Sequence, residues 1–312
     1  MDRTSFIIRR LRQIVPVVIG IVVATFFLIR AVPGDPALVI LGERATPESL
    51  ASLRTALGLD QPLPVQFAVY VGRILKGDLG TSISSGTAVI GLMIPRMQVT
   101  IFLVVYSVVL ALIIALPLAT IAALRSGGIV DQLIRAIFTV TMAMPSFWVG
   151  IILILVLSIG LKLFPVSGYG DSFGDHIWHL FLPALTTAMY LASMLIRSLR
   201  NSFLDLLNSE HVAFARSQGL TESNVFRRHI FRNGLSPTIS VLAITTGWLI
   251  GSTVVIETVF SIPGAGRLLI DSVFRRDYPV ISGLVMLYGI IAVTINLVAD
   301  LTYTYLDPRV TL

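Results

Sequence analysis

Residues 97–124 read MQVTIFLVVYSVVLALIIALPLATIAAL, a run of 28 residues without a charged side chain. A helix needs about 20 residues to cross the ~30 Å hydrocarbon layer of a bilayer. One Asp, Lys or Arg at the centre of such a span costs about 2.5–3.5 kcal/mol on insertion scales. Backbone groups in lipid must also pair within their own segment, so a run of this length favours a helix over a barrel strand. The stretch therefore predicts an all-α integral membrane protein.

Five further charge-free runs have similar lengths. They contain 17, 26, 21, 24 and 22 residues and lie at 13–29, 136–161, 176–196, 233–256 and 278–299. Together with 97–124 they predict a polytopic protein with six transmembrane helices, the first at 13–30 and the other five within 97–312. Arg9, Arg10 and Arg12 before the first run could also begin a cleaved signal peptide. No small-x-small cleavage site follows, so we expect an uncleaved anchor.

The composition supports a membrane location and excludes several classes of protein. Of the 312 residues 55% are hydrophobic and 13% are charged, whereas a soluble domain carries about 25% charged residues. This argues against a cytosolic enzyme or a disordered scaffold. The net charge of +6 comes from basic residues scattered between apolar runs, which indicates membrane orientation rather than nucleic-acid binding. The absence of cysteine excludes disulfides, thiolate metal sites and cysteine nucleophiles.

The distribution of Lys and Arg predicts the orientation. They number 13 in the 72 residues of segments 1–12, 125–135, 197–232 and 300–312. They number 10 in the 102 residues of the alternate segments 30–96, 162–175 and 257–277. Because the denser set is expected in the cytoplasm, both termini should be cytoplasmic.

The segment 31–96 is then extracytoplasmic and has its own structure. Thr46-Pro47-Glu48 begins a short amphipathic helix that Gly58 ends, and 65–76 forms a second one. Two interpretations remain equally open: a packed outer cap, or a docking surface for a partner outside.

The largest inner segment, 197–235, contains EHVAFARSQGLTE at 210–222. This pattern predicts a short helix that ends where Gly219 adopts a left-handed conformation, followed by a helix capped by Thr221. Such a pair would form a compact cytoplasmic knob. An ordinary basic loop that only fixes topology is the alternative, and composition alone favours it.

Motifs for chemistry are missing. No phosphate-binding loop is found, and the only lysines are Lys76 and Lys162, so we predict no catalytic residue and no cofactor bound by this chain. His176 and His179 make at best a weak metal site and are better explained as interfacial anchors. Glu257 and Asp300 lie at the ends of runs, where we expect anchors or packing partners rather than proton relays.

Several residues inside the spans are unusual for simple anchors. Gly247 and Gly251, four apart, predict a close contact between helices. Pro117, Pro145 and Pro183 interrupt three runs and permit kinks. The hydroxyl residues could line a polar translocation path or could bond back to their own helices. They are Thr139, Thr141, Ser146, Thr245 and Thr246.

Ala213-x-Ala215-x-x-x-Gly219, between the fourth and fifth runs, resembles the EAA loop of bacterial ABC importer permeases. The wider sequence resembles the peptide/nickel/opine branch, in particular its first-subunit permeases for dipeptides and oligopeptides. The fragments that carry this resemblance are PGDP at 33–36, LGLDQPL at 57–63, GDLG at 77–80, LPAL at 182–185, RNGLSP at 232–237, ETVF at 257–260 with PG at 263–264, DYP at 277–279 and LDPR at 306–309. Ala213 replaces the first Glu of the general motif, and Pro237 follows Gly219 at a longer spacing, as in the peptide branch.

The resemblance implies a type I importer permease fold in the bacterial inner membrane. It implies a second permease, usually a different gene product, and an extracytoplasmic substrate-binding protein. Two ATPase subunits would bind ATP and Mg and drive alternating access, and the cargo would be short peptides or related small solutes. The coupling helix and its end would comprise Glu210, Ala213, Ala215, Arg216 and Gly219, with both alanines allowing close approach. The alternatives are a stand-alone secondary transporter or channel, and a structural membrane anchor.

Overall fold

The computed structural model describes residues 3–31, 36–41 and 45–306, and within them the chain is helical with one isolated bridge between Thr81 and Ala88. The PGD of 33–35, the DPR of 307–309 and the side chain of Asp300 lie outside the described residues. The helices are α1 (Arg3–Ala31), α2 (Pro36–Leu41), α3 (Pro47–Leu57), α4 (Leu63–Leu75), α5 (Val89–Leu124), α6 (Ile129–Ala143), α7 (Ser146–Leu153), α8 (Phe173–Leu207), α9 (Glu210–Ser217), α10 (Glu222–Val225), α11 (Arg232–Val259), α12 (Ala265–Phe274) and α13 (Tyr278–Leu306). Two π-helical segments, Ile154–Gly160 and Phe226–Phe231, continue α7 and precede α11.

Within the residues that the structure describes, three helices are long and apolar enough to cross a membrane: α5, α8 and the Tyr278–Val298 part of α13. A fourth candidate is the pair formed by α6 and α7 with its π-helical extension, which bends by 108°. The bend follows from Pro145, because proline disfavours the helical conformation in the residue before it. Met144 is accordingly extended, with ψ 139. The described apolar parts of α1 and α11 are shorter, at Arg12–Phe27 and Ile244–Val259.

The core is a seam between α5 and α8. One face of α5 carries a small side chain at nearly every turn, each fully buried: Ala111, Ala115, Ala119 and Ala122. The facing side of α8 carries large buried side chains: Leu191, Leu195 and Leu199. Small residues let helices approach closely in lipid, where the hydrophobic effect does not drive helices together. Val99 and Leu103 in the first half of α5 pack with Leu180 in the first half of α8, so the two helices run parallel.

The end of the seam opposite α9 is held by a buried carboxylate. Glu257, near the end of α11, has no exposed surface and lies at the beginning of α12. Its carboxylate accepts hydrogen bonds from the Thr100 hydroxyl at 2.6 Å and from the Arg267 amide at 3.0 Å. The Thr100 oxygen in turn accepts from the Ala265 amide at 2.9 Å. Glu257 thus satisfies backbone donors of the first turn of α12 and joins α5, α11 and α12, which confirms its expected role as a packing partner.

A second buried carboxylate joins residues almost two hundred positions apart. Asp277, between α12 and α13, accepts hydrogen bonds from the Ser82 hydroxyl at 2.5 Å and the Ser84 hydroxyl at 2.8 Å. The amides of Ile83 and Ser84 donate to it at 3.1 and 3.2 Å. We call the loop 81–87, α12 and the turn at Asp277 the outer platform, after the side of the membrane that the distribution of Lys and Arg predicts for it. The sequence fragments GDLG and DYP meet there, since Gly80 faces Pro279.

We expect Gly264→Ala to destabilise the protein. The added Cβ would collide with the Glu257 carboxyl group and displace it from its donors. Leaving buried polar groups without partners costs about 1–3 kcal/mol, and more for charged groups. The thermal unfolding midpoint of the detergent-purified protein should therefore fall by several degrees. Gly251→Ala is the matched control, because a Cβ at Gly251 would meet open space. The unfolding midpoint of this variant should be unchanged or higher. Equal midpoints for the two variants would contradict the role of Glu257.

The environment of Asp277 predicts how the stability of the fold depends on pH. Burial by itself raises the pKa of Asp277, but the hydrogen bonds from Ser82, Ser84 and the two amides outweigh it and hold that pKa below its usual value. The ionised group therefore stabilises the fold above its unfolded-state pKa of about 3.9, and this contribution is lost as the pH falls towards the lower folded-state pKa. The unfolding midpoint of Asp277→Asn should lie below that of the wild type at pH 7, and the gap should close below about pH 4. Asp205→Asn, at an exposed position, should follow the wild type throughout.

Candidate functional site

The knob that the sequence predicts is present as two short helices that follow α8. The α9 helix spans Glu210–Ser217 and begins after Ser209, whose backbone is extended. Gly219 ends the knob helix with φ +80, and its amide donates to the Arg216 carbonyl at 2.9 Å. The predicted helix and its left-handed glycine are confirmed, and α10 begins at Glu222, directly after Thr221.

The α9 helix has one buried face and one exposed face. Val212 and Ala215 are buried against the main core, at 0% and 4% exposure. Glu210 and Ala213 are exposed, and Phe214 is 64% exposed. Ala215 therefore faces its own chain, and Ala213 and Phe214 face outward. Phe214 was missed by the sequence reasoning, although a large aromatic residue among polar neighbours in 210–222 is a readable signal for a contact surface.

An aromatic cluster attaches the knob to the bundle. Phe203 of α8 is fully buried, and its ring centroid lies 5.6 Å from that of Phe226 and 6.0 Å from that of Phe231. Gly234 lies directly against this cluster, since a Cβ there would fall 2.5 Å from the Phe203 ring. Dense packing of this kind transmits a displacement rather than absorbing it. The knob, the end of α8 and the beginning of α11 therefore pack together as one unit.

Ion pairs also stabilise this end of the molecule. Arg216 donates to both carboxylate oxygens of Glu222, at 2.9 and 3.1 Å, and so links α9 to α10. Both side chains are exposed, so this pair contributes at most about 1 kcal/mol. Arg200 donates to both oxygens of Asp131, at 2.6 and 2.7 Å. Asp131 is fully buried and also accepts from the Gly127 amide at 3.0 Å, so this pair fixes the beginning of α6 to α8.

The predicted intramembrane hydroxyls have different surroundings. Thr141, Thr245 and Thr246 each donate to a carbonyl of their own helix, at 3.0, 2.6 and 2.7 Å. Thr139 lines a cavity of about 240 Å³ near the knob end, beside Arg135, Arg197 and Arg200. Ser146 lines a different cavity, of about 190 Å³, at the bend between α6 and α7.

The two glycines proposed for helix packing differ in their surroundings. Gly247 faces α13, where a Cβ would lie 3.4 Å from Asn296 and 3.7 Å from Ile295. Gly251 is exposed, and a Cβ at Gly251 would have no neighbour within 4 Å.

The two histidines considered for metal binding are engaged with backbone carbonyls. His176 Nδ1 lies 2.9 Å from the Tyr169 carbonyl, and His179 Nδ1 lies 2.9 Å from the Asp175 carbonyl. Among the residues that the structure describes, no group of three or more His, Asp or Glu could hold a metal ion.

The sequence matches two family models that together cover most of the chain. Residues 115–312 match the binding-protein-dependent transport system inner membrane component, and residues 3–104 match the N-terminal model for membrane components of the same systems. The dipeptide transport system permease protein DppB of Escherichia coli K12 is 34% identical, with 98% of each chain covered. The oligopeptide transport system permease protein AppB of Bacillus subtilis is 36% identical, covering 98% of this chain and 99% of its own.

Solved structures support the fold independently. One inward-facing structure of the MetNI methionine ABC transporter matches with a TM-score of 0.58 at 16% identity, over 69% of this chain and 96% of its own. A structure of an amino acid ABC transporter with histidines matches with a TM-score of 0.54 at 16% identity, over 69% and 94%. At this identity the likeness concerns the fold alone. From the family models and the full-length relatives, the chain belongs to the family of binding-protein-dependent transport system inner membrane components and is the permease subunit of an ABC importer.

Proposed function

We propose that this permease carries short peptides or related small solutes inward across the bacterial inner membrane, and that separate ATPase subunits drive it through α9. The observation that carries the proposal is an exposed helix with an outward Phe214, rigidly joined to α8 and α11. Relatives named as dipeptide and oligopeptide permeases support the class of cargo.

In this proposal two ATPase subunits bind ATP and Mg, and the chain itself hydrolyses nothing. Phe214 inserts into a cleft of one ATPase, and Glu210 and Arg216 orient the helix there. Closure of the ATPase pair displaces α9, and the Phe203 cluster passes the movement to α8 and α11. A second permease, encoded separately, would move in the same way and open the path to the other side.

The topology follows from the same assignment. If α9 faces the cytosol, the outer platform and the helices within 31–96 face outward, where a substrate-binding protein would deliver cargo. The pair α6 and α7 then counts as one span, and α1 and α11 also cross the bilayer. This gives six spans with both termini in the cytoplasm.

Reconstitution tests the function directly. Liposomes that contain both permeases and both ATPases, supplied with binding protein and ATP, should accumulate a peptide against its gradient. Omitting the ATPases or replacing ATP with ADP should abolish accumulation. If this chain alone accumulated the peptide under a proton or sodium gradient, the alternative of a stand-alone secondary transporter would be correct.

We expect Phe214→Ala to weaken the association of the permease with the ATPase subunits by roughly tenfold or more, because truncating a central aromatic anchor often costs 2 kcal/mol or more. Co-purification at graded ATPase concentrations measures this loss. Phe274→Ala is the matched control, because Phe274 is 84% exposed on α12 at the opposite end. Unchanged association in Phe214→Ala, or equal losses in both variants, would contradict the coupling role.

A further inference from the structure

Two aromatic residues with polar atoms lie near the middle of predicted spans. Tyr190 of α8 and Trp248 of α11 have ring centroids 5.4 Å apart, with planes inclined by 32°. Each lies about 5–6 Å along its helix from the centre of its charge-free run, at 1.5 Å per residue. The edge of a ~30 Å hydrocarbon layer is about 15 Å from that centre. Neither residue therefore reaches the interface where Trp and Tyr usually anchor a span.

The polar atoms of this pair are without partners inside the described chain. The Tyr190 hydroxyl and the Trp248 Nε1 form no hydrogen bond with any described residue, and Trp248 is 60% exposed. Exposing such donors to hydrocarbon is unfavourable. We therefore expect these two polar atoms to contact a polar group from outside the chain rather than lipid.

The two rings form one side of the 190 Å³ cavity at the bend between α6 and α7. Pro145, Ser146, Thr187 and Ser252 also line it. Broken helices near the midplane are where membrane transporters commonly bind their substrates. Pockets that enclose a small ligand usually measure about 300–1,000 Å³. This cavity is smaller, so one permease supplies a wall rather than a closed site.

The wall offers both hydrogen-bond donors and hydrogen-bond acceptors. The Thr187 hydroxyl donates to the Pro183 carbonyl at 2.9 Å, and the Ser252 hydroxyl donates to the Leu249 carbonyl at 2.7 Å. Each oxygen keeps its lone pairs free to accept a further hydrogen bond. Tyr190 and Trp248 can donate, and no charged side chain lines the cavity. A peptide backbone presents the complementary set, one N–H donor and one carbonyl acceptor per residue.

We infer that this wall is a contact site for the peptide as it crosses the membrane. Tyr190 and Trp248 donate to peptide carbonyls, Thr187 and Ser252 accept from peptide amides, and the aromatic faces pack against apolar side chains. Because the wall is uncharged, it binds the backbone of the peptide and discriminates little between peptides with differently charged side chains. The inference rests on the proposed function and adds the residues that touch the cargo.

Thiol labelling tests the inference, because the natural chain contains no cysteine. In the reconstituted complex, Ser252→Cys should react with a charged methanethiosulfonate reagent, since the reactive thiolate forms only where water reaches it. A mixture of dipeptides, presented with binding protein and ATP, should slow the reaction several-fold. Ile113→Cys is the control: Ile113 is 61% exposed on α5 near the middle of its run and outside the cavity, so it should stay unlabelled.

Uptake kinetics provide a second readout. Tyr190→Phe removes only the hydroxyl and should raise the KM for dipeptide uptake several-fold. Trp248→Phe should have a similar effect. Trp148→Phe is the matched control, because Trp148 is 43% exposed on α7 but does not line the cavity, and its KM should match the wild type.

The failures of the two proposals can be told apart. If the wild-type complex takes up dipeptides but Ser252→Cys does not react, the wall faces lipid or packs dry against the second permease, and only the inference falls. A reactive thiol that dipeptides do not protect overturns it equally. If Ser252→Cys does not assemble, Ser146→Cys on the opposite side of the cavity takes the same test. If the wild-type complex shows no ATP-driven uptake at all, the proposed function fails.

Discussion

The close packing of α5 against α8 is the contact on which both functional ends of the molecule depend. Alanines at successive turns of α5 allow the leucines of α8 to fill the space between the helix axes. The seam continues from Val99 and Leu180 near the outer platform to Phe203 beneath the knob. The hydrophobic effect does not drive helices together in lipid, so this close packing is what holds the two ends of the molecule together. In the proposed mechanism this packing transmits a displacement of α9 along the molecule.

Two buried carboxylates hold the outer platform together. Glu257 and Asp277 are almost fully buried, and hydroxyl and amide donors surround each of them. Burying an unpaired charge is very costly, so these local donors are a condition for the carboxylates to be there. This explains why Gly264 stands opposite Glu257 and why serines fill the loop opposite Asp277. Of the fragments that carry the resemblance, ETVF supplies the carboxylate that joins α12 to α5 and α11, and DYP supplies the one that binds the loop 81–87.

The sequence predicted the features that depend on local patterns. The charge-free runs located α5, α8 and α13, and the 210–222 pattern located α9 with its left-handed Gly219. The sequence did not predict the contact between α5 and α8. Small residues recur by chance, and the pair Gly247 and Gly251 was as good a candidate for close helix packing as the alanines of α5. The contact between Thr100 and Glu257 joins residues 157 positions apart, and no periodicity reveals such a partner. Pro145 predicted a kink, and the structure has a bend of 108° there, but no pattern in the sequence predicts its size.

The central claim is that a separate motor grips α9 from the cytosolic side. The most direct measurement is site-specific cross-linking from Ala213→Cys, an exposed position in a chain that otherwise lacks cysteine. In the assembled complex this thiol should cross-link to a cysteine placed in the cleft of the ATPase. An impermeant thiol reagent should reach it in inside-out vesicles and fail to reach it in intact cells. Labelling from outside intact cells, with no cross-link to the ATPase, would contradict the account.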